Sequence, residues 1–150
     1  MDAKKLDAAA HEGGHLTVAA KLTGACTAKI SMRPDGTWGG VTHGGPDLDE
    51  GDPIEWVQCC DIAGPCGEWL HKHPNCQSAD VLAAIRRGEL DLNESDRAHG
   101  GDSEEAVSAA LHILRESGAF FGWATAELYA HERIGDDLVC EKLEEFDVRS

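Results

Sequence analysis

Two glycines stand side by side, Gly13 and Gly14, in an alanine-rich segment that otherwise reads as one helix from residue 3 to residue 22. Each glycine inside a helix costs about 0.5–1 kcal/mol relative to alanine. An adjacent pair therefore needs a reason, and the physical one is another backbone passing too close for a Cβ. The helix is expected to be packed into the domain. Leu6, Ala10, Gly14, Val18 and Leu22 fall on adjacent turns, and Gly24 is placed to end it.

The same glycines interrupt a chemical pattern, His11-Glu12-Gly13-Gly14-His15. On a helix His11 and His15 are one turn apart and project from one face, so both imidazoles reach a single metal ion, with Glu12 beside them where it touches a water on that metal. This is what a zinc peptidase needs. Two neutral histidines and one further protein ligand leave a fourth position for water, whose pKa zinc lowers towards ~7, and the glutamate takes the proton during attack.

The rest of the chain has to supply a core and a cleft around that helix. With 150 residues, 41% of them hydrophobic, the length suits one domain, which at this size buries roughly 70% of its unfolded surface without disulfides or structural metal. The net charge of −15 leaves no basic footprint for phosphates, which argues against nucleic acid and against an anionic membrane face. The acidic excess grows along the chain: residues 1–90 hold 8 basic and 13 acidic side chains, residues 91–150 hold 5 and 15. No run approaches the ~20 apolar residues of a membrane span, and residues 1–12 do not read as a signal peptide. A cytoplasmic protein is expected, with its six cysteines reduced.

Thr27 to Met32 alternates as a strand, Arg33-Pro34-Asp35-Gly36 is turn chemistry, and Trp38 to His43 returns as a second strand. Residues 44–51 read as a mobile surface loop. Asp52-Pro53 opens a helix that Pro65 is expected to kink or divide. Further helices are expected over Ser78 to Arg87, from Asp102 to about Ser117, over Ala119 to Ile134 and over Asp137 to Phe146. The fold class is α+β, mainly helical, with a small β-hairpin or sheet.

Beyond the metal motif, three ordered stretches resemble the FtsH-type zinc peptidases. Residues 9–19, Ala-Ala-His-Glu-Gly-Gly-His-Leu-Thr-Val-Ala, look like that family's His-Glu-Ala-Gly-His helix, with Gly14 on the motif glycine. Residues 29–42 are similar to its strand, Pro-Arg-Gly turn and Leu-Gly-Gly-Tyr-Thr return strand. Ile62-Ala63-Gly64-Pro65-Cys66-Gly67-Glu68 resembles its Leu-Ala-Gly-Arg-Ala-Ala-Glu segment, from which Pro65 and Gly67 depart. The resemblance implies a zincin-like peptidase domain over residues 1–150, Zn2+ as cofactor, peptides or unfolded proteins as substrates, and an aspartate as third zinc ligand. Asp96 is favoured for that ligand, 85 residues after His11, with Asp102 as the alternative; otherwise Asp102 is a helix N-cap. The family's ATPase loop and membrane anchor have no counterpart in this sequence, so only its peptidase half is represented, and any unfoldase is expected as a separate ATPase chain or through a homo-oligomer.

Substrate is expected as an added strand along Trp38, Gly39, Gly40 and Val41, where the glycines let a peptide backbone approach, or else form a bulge. Cys59, Cys60, Cys66, His71, His73 and Cys76 match no zinc-knuckle spacing and read as core thiols and surface histidines. Trp38, Trp56, Trp69 and Trp123 read as core anchors, Trp38 with a place in a cleft. Two other function classes compete: a non-catalytic relative that binds metal and a peptide or protein partner, and a plain helical interaction module.

Overall fold

The computed structural model describes residues 2–24, 26–90, 92, 103–146 and 148. The first helix, α1, spans Ala3–Thr23; Asp2 caps it by accepting from the backbone N–H of Lys4 and Lys5, and Gly24 closes it at φ +89°. A hairpin follows, β1 (Cys26–Met32) and β2 (Trp38–Gly44). Its turn is set by Asp35, whose carboxylate accepts from Thr37 N–H at 2.9 Å and from Thr37 Oγ1 at 2.6 Å. A short 3-10 turn at Leu48–Glu50 leads into α2 (Ile54–Lys72), then α3 (Ser78–Arg86), α4 (Glu104–Glu116) and α5 (Gly118–His131). The chain finishes with β3 (Arg133–Ile134) and α6 (Asp136–Glu145).

The protein is thus mainly helical with one small antiparallel sheet, ordered β2-β1-β3. β1 pairs with β2 without interruption from Cys26↔Gly44 to Met32↔Trp38, so Gly39 and Gly40 lie in regular register and form no bulge. β3 was not legible in the sequence. It is two residues long, pairs Ala28 with Ile134 and Lys29 with Arg133, and begins where Glu132, at φ +67°, stops α5 short of the expected Ile134.

Three other sequence expectations are corrected. α2 is not divided at Pro65 but runs through it. It starts one residue late, at Ile54, because Asp52 spends its carboxylate on Asp47 N–H at 2.8 Å and does not cap the helix. α4 is capped by Ser103, which accepts from Ala106 N–H at 3.2 Å. Trp56 is 39% exposed and anchors no core, whereas Trp38, Trp69 and Trp123 pack against the core while partly buried, because a ring with a polar N–H tends to keep one edge at the surface.

The core forms on two sides of α1. On one side Val18 meets Cys59, Ile62, Cys66, Val81, Val107 and Leu114 from the next three helices. On the other, Leu16 and Ala20 meet Ile30, Phe120, Leu128, Ile134 and Leu143. The glycine pair makes this possible, since a Cβ on Gly14 would run into the Ala63 carbonyl of α2, and one on Gly13 would come within 2.8 Å of Thr125 Oγ1 on α5. The approach is mutual: a Cβ on Gly67 would lie 2.7 Å from Ala10 O and 2.9 Å from Gly14 Cα. Gly67, a departure from the family pattern, thus lets α1 and α2 meet backbone to backbone. Among the described residues, no helix is long and apolar enough to cross a membrane.

Candidate metal centre and groove

His11 and His15 project from one face of α1, with ring centroids 4.9 Å apart. Each Nδ1 faces an oxygen on α2: His15 Nδ1 donates to the Cys60 carbonyl at 2.8 Å, and His11 Nδ1 lies 3.4 Å from Glu68 Oε1. A carbonyl only accepts, so the proton of neutral His15 sits on Nδ1 and its Nε2 carries the lone pair. Both Nε2 atoms converge over one backbone position, where a Cβ added to Gly64 would overlap each of them. Anchoring the distal nitrogen in this way is how proteins fix metal-binding imidazoles.

The electrostatics favour a neutral His15 beside a tuned carboxylate. Burial pushes the His15 pKa down to about 3, the neighbouring His11 adds to the shift, and the Cys60 hydrogen bond opposes it. Glu12 is 6% exposed, and that burial holds its carboxyl above the ordinary range, against the pull of His11 and of Thr42. Thr42 Oγ1 donates to Glu12 Oε1 at 3.0 Å. A base tuned upward by burial suits proton transfer near neutral pH.

Gly40 explains how Glu12 reaches that place. A Cβ there would come within 2.5 Å of Glu12 Cγ and 2.8 Å of Lys29 O, while one on Gly39 would strike the Arg33 guanidinium. The space above the bare Cα of Gly40 is taken up by Glu12. A groove nonetheless runs along β2. One cavity of about 470 Å³ is lined by Trp38, Gly39 and Gly40 together with His11 and Glu12. A second, about 310 Å³, continues it past His15 and Thr42 to Pro46. Val41 lines neither, and Thr42 lines the second. β2 is an edge strand.

Asp96 and Asp102 lie outside the described residues. Among those described, no group of three His, Cys, Asp or Glu side chains is set to hold a metal, so the centre shown here is a two-histidine pair. The donor set and the Gly64 cradle fit a zinc ion bound through Nε2 of both. Cys59, Cys66 and Cys76 are instead core thiols, each shifted upward by burial. A separate cavity of about 520 Å³ beside Trp69 and Arg87 shares no residue with the histidine site.

No protein-family model matches the chain, and no curated protein matches it in sequence.

Sequence reasoning missed four parts of this site. Glu68 and Gly64 were visible only as positions in a segment without an assigned role. Thr42 was one of several alternating strand residues. The Cys60 carbonyl has no side-chain signature at all.

Proposed function

We propose that the protein is a zinc-dependent endopeptidase with a zincin-like arrangement related to the FtsH-type peptidases. The observation that carries this is the convergence of both histidine Nε2 atoms over Gly64, beside a buried glutamate and an edge strand. His11 and His15 would hold the metal, with an aspartate, Asp96 or Asp102, as third ligand. When bound, zinc supplies the positive charge that acidifies a water and polarises a peptide carbonyl. Glu12 removes the water's proton as its oxygen attacks the carbonyl carbon, then delivers that proton to the departing amine nitrogen. Thr42 holds one carboxylate oxygen of Glu12 and so orients the other.

The substrate main chain lies along the outer edge of β2 from Trp38 to Thr42, adding a strand. Main-chain pairing of this kind carries little sequence preference and requires an extended, flexible segment. The test is zinc analysis of the purified protein together with cleavage of an unstructured peptide by wild type and Glu12→Gln. One equivalent of zinc in both, with turnover at least ~100-fold lower in the variant, is expected. Zinc below a tenth of an equivalent after supplementation rejects the metal centre, and undiminished cleavage by Glu12→Gln rejects the mechanism.

A further inference from the structure

Pro65 occupies a costly place. Inside a helix a proline has no N–H for the carbonyl four residues back, here Asp61, and its ring crowds that carbonyl. α2 is 19 residues long and continues past it, and Pro65 is buried, so neither a helix end nor solvent relieves the crowding. A proline inside a helix kinks it at the preceding turn. That turn is the one facing the histidines. Its Cys60 carbonyl accepts from His15 Nδ1 at 2.8 Å, and its Gly64 lies beneath both Nε2 atoms.

A helix carbonyl normally points along the axis at the N–H four residues on, which for Cys60 is that of Gly64. To accept from a neighbouring helix as well, it has to lean away from the axis. Pro65 directly follows Gly64, so its ring is attached next to the N–H that would close that ladder bond. We propose that Pro65 is a positioning residue for His15: it opens α2 so that the Cys60 carbonyl turns towards α1 and fixes His15 as the Nδ1–H tautomer, leaving Nε2 to bind metal. This rests on the zinc reading for its purpose, but the tautomer it predicts exists without zinc.

The experiment compares wild type with Pro65→Ala and with Pro65→Val, which keeps bulk while restoring the N–H. Imidazole nitrogen NMR of the metal-free proteins reads the His15 tautomer, amide hydrogen exchange at residue 65 reads whether the restored N–H joins the ladder, and zinc titration reads affinity. Expected are a protected new amide, a shift of His15 from a pure Nδ1–H form to a mixture, and zinc bound about 10- to 100-fold more weakly, the scale for losing an outer-shell partner of a ligand. A pure Nδ1–H tautomer in the folded variant overturns the inference, and Pro65→Val decides if Pro65→Ala does not fold. If wild type binds no zinc while the tautomer still shifts, the metal reading fails and the positioning role stands.

Discussion

Gly64→Ala separates the site from the fold more sharply than any other single change. The three atoms nearest the added Cβ all belong to two imidazole rings, Nε2 of His15 and of His11 and Cδ2 of His15. The Cβ would lie 2.6 Å from the His11 nitrogen and closer still to that of His15, whereas ordinary contact begins at 3.4 Å. The His11 ring therefore has to retreat by about 0.8 Å and the His15 ring by more, several times the ~0.2 Å tolerance of a metal–ligand distance. Zinc affinity should fall by at least about 10- to 100-fold.

Stability should respond differently. Replacing a mid-helix glycine by alanine gains about 0.5–1 kcal/mol. Losing the neutral hydrogen bond from His15 to Cys60 costs about 0.5–1.5 kcal/mol. The two nearly cancel, so urea unfolding of the metal-free variant should stay within about 1 kcal/mol of wild type. Zinc competition against a chelator and metal-free urea melts give the two numbers. Wild-type zinc affinity would refute the converging-nitrogen geometry; a loss above about 2 kcal/mol would mean that Gly64 serves helix packing instead.

Gly14→Ala has the opposite profile, because its Cβ meets the Ala63 carbonyl and the Gly67 Cα, both backbone; overpacking that cannot be relieved by a rotamer should lower urea-measured stability by about 1–3 kcal/mol. Thr125→Val removes a hydroxyl that is buried without a hydrogen-bond partner and should leave stability unchanged or raise it by about 1 kcal/mol, read as a shifted urea midpoint at constant m-value. Because His15 titrates at about 3 when folded, against 6.5 as its ordinary value, the unfolded chain binds the extra proton between those values. Metal-free stability should therefore fall as pH drops from about 6.5 towards 3, and His15→Gln should flatten that slope in urea melts across the range. Gly40→Ala pushes on Glu12 and leaves the histidines alone, so peptide turnover should drop while zinc content holds. That drop should vanish in a Glu12→Gln background, as a double-mutant cycle would record.

The sequence carried most of the fold where a local cost had one sensible explanation. Two glycines in an alanine-rich helix implied a close backbone, and Ala63 on one side and Thr125 on the other supply the tight neighbours. Turn chemistry at residues 33–36 placed the hairpin, and helical spacing placed His11, Glu12 and His15 together. Failures came where tertiary context outvoted local preference. Pro65 reads as a breaker, yet α2 continues through it in a tightly packed core. Arg133 and Ile134 form a strand only because β1 has an unpaired edge to offer them. Asp52 is a good capping residue that found a different donor in Asp47.

The three chemical groups of the site come from residues 11–15, but the atoms that orient them come from other elements. Cys60 and Glu68 on α2 hold the distal nitrogens of the two histidines, while Thr42 and Gly40 on β2 hold and admit Glu12. An isolated α1 would carry the motif with its imidazoles in either tautomer and its glutamate in water, ionised at its ordinary pKa. Docking against α2 selects the Nδ1–H form, and docking against β2 buries the carboxylate and raises its affinity for a proton. The first step needs the close approach that Gly14 and Gly67 allow, and the second needs the bare Cα of Gly40. Gly14, which weakens α1 as a helix, is therefore one of the residues that bring its histidines onto α2, and the proposed hydrolytic chemistry is confined to the folded state.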